Sequence, residues 1–406
     1  MSVDYLSGHA KGQRAGLQRA LTLAYTLVLS AMATLEPMIA AIFEINPVRQ
    51  AGMLGLLIFL MTLTHPKLLL TRELALYTLF TAYMFITLIW APSADDGMNT
   101  LLPAVDFILL AILFGSLVAF YDLGGVLVGS LGGFVLGALL YTRISGFPFV
   151  YPLDFSYNTF AAMYLSGLFA ALLFGWYTRW RFLTLMIGLV ILGHIAATTS
   201  IKTNLGVALG AAAAALTYSG TFLRVLRRNI VSLCIVAAAL VFVVMSNDAL
   251  FERLQIGLDR VSRGVEILQR REDIAGNTSF NDRSDWQNLG IKGWARSPLF
   301  GNGVEAFRSD NDVTSHSTPV DLLYNTGVIG FALFYGMFVS LGIRLLQVRG
   351  STLGSLPPLI FAGLVCYLFI TLSGTMHYNS FMAVFFAVST GLLRRHEAGS
   401  LRPAKR

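Results

Sequence analysis

The sequence predicts an all-α polytopic membrane protein, and three observations carry that reading. Of 406 residues, 55% are hydrophobic and only 13% are charged, where a soluble domain carries about 25% charged residues. The mean hydropathy is +0.67. The apolar residues also gather into long blocks, each near the ~20 residues that cross a bilayer core. This excludes a soluble enzyme and a disordered chain. Both cysteines, Cys234 and Cys366, lie inside apolar blocks, so neither a disulfide framework nor a thiolate metal site is expected.

Residues 1–16 are polar and carry Lys11 and Arg14, and the apolar run from Leu17 follows without a small-residue cleavage site, which reads as a signal anchor. Further blocks stand near 47–64, 74–91, 101–120, 123–142, 157–176, 182–200, 203–220, 229–246, 319–343, 357–373 and 376–393. With the first they make about twelve expected transmembrane helices. The chain then divides into spans over 1–246, one large loop domain over 247–318, further spans over 319–393 and a tail over 394–406. Lys11, Arg14, Arg19, Lys67, Arg72, Arg179, Arg181, Arg224, Arg227, Arg228, Arg344, Arg349 and the basic tail after Gly391 fall on one side; Arg49, Arg143 and Lys202 occupy the short loops on the other. The positive-inside rule puts both termini in the cytoplasm. The formal charge of +7 is therefore mostly a topology signal, and no nucleic-acid partner is expected.

The 247–318 segment is expected outside the cytoplasmic membrane, in the periplasm if the cell is Gram-negative. Over Asp248 to Arg271, Leu250, Leu254, Leu258, Val261, Val265 and Leu268 recur at helical spacing, with Arg253, Arg260, Arg263 and Arg270 between them. This reads as an amphipathic helix near the membrane surface. After Gly276-Asn277, Ser279 and Asp282 form a capping-box pattern. It opens a second helix carrying Arg283, Trp286, Leu289 and Trp294, which stops at Ser297-Pro298. A tight Gly301-Asn302-Gly303 turn and a polar stretch lead to His316, at the rim of the tenth span. Thr318, Pro319 and Asp321 supply that span with an N-cap, an N1 proline and an acidic N3. Ala211 to Ala215 reads as close helix packing.

Glu36 and Asp106 fall in the outer halves of their spans, and Arg143, Asp154, Lys202 and Asp321 gather at the same outer surface. Together they suggest a polar cavity open to the outside; individually, each also fits a charge that snorkels to the interface.

The motifs become recognisable in sequence order: Asn281-Asp282-Arg283-Ser284-Asp285-Trp286, Ser297-Pro298-Leu299-Phe300-Gly301-Asn302-Gly303, His316, Leu323 and Gly327-Val328-Ile329-Gly330. This order resembles the O-antigen ligase and polymerase superfamily. There an arginine-plus-tryptophan helix, a "Pro-Leu-x-Gly-x-Gly" turn, a "His-Asn" and a "Gly-x-x-Gly" define the large periplasmic loop and its return to the membrane. Asn158 at the start of the sixth span and Thr199-Ser200-Ile201-Lys202-Thr203 are compatible with the pattern. Three positions depart from it: Ser317 stands where the family has Asn, Asn325 where Glu is common, and Lys202 where an arginine is frequent.

The resemblance implies a GT-C-like glycosyltransferase in the bacterial inner membrane, with a mainly helical periplasmic loop. It implies transfer of a glycan from undecaprenyl diphosphate to a sugar hydroxyl, with inversion, without a metal and without a cofactor. In a ligase the acceptor is the lipid A core, which is favoured here; in a polymerase it is a second carrier-linked unit. The expected partners are the undecaprenyl-diphosphate-linked glycan, the lipid A core and membrane lipid.

The residue types suit that chemistry. A departing diphosphate needs fixed cations. Arg283 offers a planar fork and Lys202 a point charge. Neutral imidazole can accept the proton of the attacking hydroxyl, which nominates His316 as general base. Arg296 and Arg308 are either solvated charges or further phosphate contacts. Trp286, like Trp294, is either a sugar platform or packing. Arg283 could instead pair with Asp282 or Asp285, and Lys202 could be an interfacial anchor. His377 is a competing base, and His194 reads as a packed, hydrogen-bonded residue. From other classes, a transporter fits the outer charges but shows no paired broken helices, and a metal-dependent transferase could use Asp95 and Asp96, although adjacent carboxylates point to different helix faces.

Overall fold

A computed structural model of the chain describes residues 18–31, 68–145, 157–178, 181–197, 200–220, 278–348, 356–372 and 379–399, with isolated residues between them. Among the described residues the regular structure is entirely helical. Residues 18–31 are helical. They are followed by α1 (Arg72–Thr87), continued by a 3-10 turn (Leu88–Trp90), then α2 (Ala94–Phe120), α3 (Leu123–Ser145), α4 (Tyr157–Tyr177), α5 (Arg181–Ala197) and α6 (Ile201–Thr217). The loop region contributes α7 (Thr278–Trp294) and α8 (Ala306–Asn311), and the chain returns through α9 (Thr318–Gln347), α10 (Leu356–Thr371) and α11 (Ser380–Glu397).

Local chemistry sets several of the starts. Thr71 accepts a hydrogen bond from the Leu74 N–H at 3.2 Å ahead of α1, and Asn379 accepts from Phe381 and Met382 ahead of α11. Ser93 caps α2, whose first turn carries Asp95 and Asp96 at the positive end of the helix dipole.

Four stretches are long and apolar enough to cross a bilayer: Arg72–Trp90, Ala94–Phe120, Leu123–Leu140 and Thr318–Gln347. They mark a membrane protein. The expectation of about twelve spans is thereby corrected to four among the described residues. Expected blocks between 74 and 220 and after 319 do coincide with helices, but several of these fall short. The apolar stretches Tyr164–Tyr177, Met186–Ile195 and Leu356–Thr371 are shorter than the ~20 residues a span needs. α6 has 17 residues, and α11 ends on Arg394, Arg395 and Glu397. The first block is described only over residues 18–31, the block at 47–64 lies outside the described residues, and that at 229–246, like the amphipathic helix expected over Asp248 to Arg271, lies mostly outside them.

The helices pack through small residues. A Cβ on Gly391 of α11 would lie 2.9 Å from the Gly115 carbonyl of α2, and one on Gly210 of α6 would lie 2.3 Å from the Ala362 carbonyl of α10. Gly206, Gly210 and buried Ala214 share one face of α6. The close approach therefore runs along the 206–210–214 stripe, and of the Ala211 to Ala215 tract only Ala214 is buried. At one end of the bundle the buried Glu73 of α1 accepts from Ser340 at 2.9 Å and Arg344 at 3.0 Å, and Arg344 also reaches Glu397 of α11 at 2.7 Å.

α9 is broken. At Gly327 the backbone leaves the helical region (φ 64, ψ −166), which orphans carbonyls before the break and N–H groups after it. The turn at 298–303 satisfies both sides. The N–H groups of Asn302 and Gly303 donate to the carbonyls of Tyr324 and Asn325, each at 2.9 Å, while Val328 and Ile329 donate to the carbonyls of Pro298 and Leu299 at 2.9 and 3.3 Å. The Asn302 amide adds a bond to the Tyr324 carbonyl at 3.0 Å. The fit leaves no room for side chains: a Cβ on Gly327 would lie 2.3 Å from the Leu299 carbonyl, and one on Gly301 2.4 Å from that of Asn325. Both glycines also have positive φ.

Two expected caps shift toward the N-terminus. α7 begins at Thr278, so Ser279 lies within its first turn. α9 is preceded by Ser317, because the Thr318 hydroxyl and N–H both donate to the Gly374 carbonyl, at 2.5 and 3.1 Å, a tertiary partner that local sequence does not display.

Gly327→Ala is expected to destabilise the protein by on the order of 2–4 kcal/mol through positive φ and steric overlap. Gly188→Ala, whose nearest neighbour would sit at 3.7 Å, should leave the unfolding temperature in detergent unchanged or slightly higher.

Candidate functional site

The interlocked break and turn set the start of α9, and the site is built just before it. His316 has a left-handed backbone (φ 51), a conformation that costs a non-glycine residue about 1–3 kcal/mol and persists only where its surroundings impose it. The neighbouring bonds impose it. Ser315 is fully buried. Its Oγ donates toward the Ser317 carbonyl at 3.0 Å and Asp321 Oδ1 at 3.3 Å, and accepts from the Ser317 N–H at 3.3 Å. The Asp321 N–H donates back to the Ser317 carbonyl at 2.9 Å. The residues on both sides of His316 are thus fastened, and its ring projects from the turn.

Side chains from two helices act on that ring. From α7, Trp286 lies with its ring centroid 5.3 Å from that of His316, at an interplanar angle of 33°. Arg283 is three residues earlier on the same helix face. From the first turn of α6, Lys202 extends so that its Nζ sits 2.9 Å from where a Gly374 Cβ would be. Gly374, between α10 and α11, is the residue whose carbonyl receives both Thr318 donors. Thr314 Oγ1 stands 3.3 Å from His316 Nε2.

His316, Arg283 and Lys202, named from sequence as base and cations, are therefore neighbours. Burial first, then the charge of Arg283, then that of Lys202, lower the His316 pKa below the usual histidine value. Arg283 and Lys202 are also close enough to repel one another. The result is a half-buried imidazole held neutral at pH 7 beside two cations, an arrangement that can accept a proton while favouring an anion between the positive groups.

The remaining candidates divide. His377 is 3% exposed, with its Nδ1 3.9 Å from Asp321 Oδ2, the Tyr77 hydroxyl donating to its carbonyl at 2.6 Å, and Phe80 and Phe334 edge-on to its ring. It lies behind the turn that presents His316. Arg296 and Arg308 are exposed; Arg296 acts electrostatically on Tyr324, away from the imidazole. Asn158 falls in the first turn of α4, and its side chain, like those of Asp282, Glu36 and Asp154, lies outside the described residues. Asp106 is buried, whereas Arg143, Asp95 and Asp96 are exposed. His194 hydrogen-bonds the Val190 carbonyl at 2.8 Å and packs on Tyr164. Trp294 anchors the turn, donating from Nε1 to the Pro298 carbonyl at 2.9 Å. Among the described residues no three His, Cys, Asp or Glu side chains gather closely enough to hold a metal ion.

Gly374, Ser315 and the fastening role of Asp321 were not identified from sequence. Asp321 was read there as a helix-start residue and an outer-surface charge, and only its return bond to the His316 turn shows the second role. Gly374 carries no local signal at all. No protein-family model matches the chain, and no curated protein matches it in sequence.

His316 should titrate below the ordinary histidine pKa of ~6.5, and Arg283→Gln should move its midpoint upward by removing one positive neighbour. NMR titration of the imidazole signals, with His316→Ala supplying the assignment, measures both; an unmoved midpoint would contradict the proximity of the two charges.

Proposed function

We propose that this chain is a membrane glycosyltransferase of the O-antigen ligase kind, moving a glycan from undecaprenyl diphosphate to a sugar hydroxyl of the lipid A core. The observation that supports this most is the convergence of neutral His316 with Arg283 and Lys202 at the junction of loop and helices. In this reading the acceptor hydroxyl attacks the anomeric carbon opposite the diphosphate. A carbon–oxygen bond to the acceptor forms, the bond to the diphosphate breaks, and configuration inverts. The hydroxyl proton passes to the His316 imidazole. The charge released on the diphosphate is met by the Arg283 guanidinium and the Lys202 ammonium. Lys202 in the first turn of α6 adds its charge to the positive end of that helix, which is unfavourable alone and favourable with an anion bound.

The finer topology belongs to the same proposal: both termini in the cytoplasm, and the site on the periplasmic face of the bacterial inner membrane. Chemistry at the donor is shared with a polymerase, so the acceptor decides between the two. One observation favours a transporter instead, namely the broken α9, since transporters bind substrate at interrupted helices. Here the turn at 298–303 occupies the carbonyls and N–H groups on both sides of the break, which weighs against an ion or solute using them.

Purified protein offered the carrier-linked glycan with lipid A core should yield product on the core. His316→Ala should abolish transfer while retaining donor binding, and EDTA should leave the rate unchanged. Extension on the carrier alone would make the chain a polymerase, and no product with either acceptor would refute the transferase reading. Gly374→Ala should weaken donor binding without unfolding the protein, because its Cβ meets only the flexible end of Lys202 within 3 Å. In a Lys202→Ala background the same change should have no further effect.

A further inference from the structure

We infer that the turn at 297–300 lies within the outer leaflet of the membrane, with Leu299 and Phe300 in contact with lipid acyl chains, although the sequence places it in an extramembrane loop. The argument needs only that α1 and α9 cross the bilayer with their Glu73–Arg344 end inward, and is independent of any catalytic role.

The turn is bonded to the flanks of both helices below their outer ends. The Tyr83 hydroxyl of α1 donates to the Phe300 carbonyl at 2.9 Å, and Val328 and Ile329 of α9 donate to Pro298 and Leu299. A common level for the two helices comes from the Glu73–Arg344 ion pair at 3.0 Å. At 1.5 Å per residue, Tyr83 lies about 15 Å along α1 from that level and Val328 about 24 Å along α9. Both distances are shorter than the ~30 Å hydrocarbon core. The ion pair marks a membrane surface, because Arg72, Arg394 and Glu397 lie at the same end of their helices. The turn therefore sits below the opposite surface.

Its chemistry fits that depth. Leu299 is 57% and Phe300 55% exposed, beside a flank of α1 and its 3-10 turn that exposes Ile86 and Ile89, and near exposed Val328 of α9. In water such apolar side chains at the tip of a loop would be a liability; in continuity with lipid-facing helix surfaces they are the expected lining. The carbonyls of Pro298, Leu299 and Phe300 are all engaged, as irregular backbone at membrane depth requires.

The test is fluorescence quenching of the full-length protein in bilayer nanodiscs made with phosphatidylcholine brominated midway along its acyl chains. Phe300→Trp and Leu299→Trp are each compared with wild type, and Ser309→Trp, at an exposed position on α8, serves as the aqueous control. The fluorescence added by Trp at 300 or 299 should be mostly lost and blue-shifted relative to that added at 309. Quenching at both positions no greater than at 309 would overturn the inference, whatever the outcome of the transfer assay.

Discussion

The break in α9 at Gly327 constrains the architecture more than any other feature. A helix interrupted in its middle leaves backbone groups without helical partners, and the turn at 298–303 satisfies them from a segment outside the helix. Helix and turn are thus obligatory partners. Glycines at 301 and 327 are required because each lies against the other segment's backbone, and the Asn302 amide closes the joint by bonding both the Tyr324 and Gly293 carbonyls. Through Gly293 and Trp294 the joint also fixes the end of α7, and so the direction from which Arg283 and Trp286 approach.

With α7 and the first half of α9 held in this way, the residues between them have little freedom. Ser315 and Asp321 clamp the turn around His316, and the Gly374 carbonyl holds Thr318. Gly374 in turn offers the open space that Lys202 enters. The site thereby draws on α6, α7, α9 and the segment between α10 and α11. Its electrostatics follow from the assembly: each group contributes a charge or a desolvated surface that the others feel, and the imidazole stays neutral because both effects act in the same direction.

The sequence reading was most successful where pattern reports backbone chemistry. Apolar blocks between residues 74 and 220 and after 319 coincide with helices, and Gly301-Asn302-Gly303 forms the expected tight turn. The charges of Arg283 and Lys202 both act on His316, while the roles of the three as cations and base belong to the proposal. The sequence reading was less successful where length decides. Several blocks that read as spans form helices too short or too charged at their ends to cross a bilayer unaided. The 319–343 block also carries no local sign of a break: Gly327 enters the reading only as part of a Gly-Val-Ile-Gly motif, and the turn that replaces its helical partners comes from a distant segment.

What the sequence determined by itself is the all-helical membrane character and the residue types available at the loop junction, because hydropathy, charge and glycine content are properties of short stretches of chain. What only the tertiary structure decided is which of those residues share a site. Lys202 and His316 are separated by more than a hundred residues and meet through Gly374, a third segment with no signal of its own. Asp321 acts on His316 through Ser315, across a cap whose position depends on Thr318 bonding elsewhere. Such contacts arise from how helices cross and where backbone groups find partners, and these depend on packing across the whole bundle rather than on any local pattern.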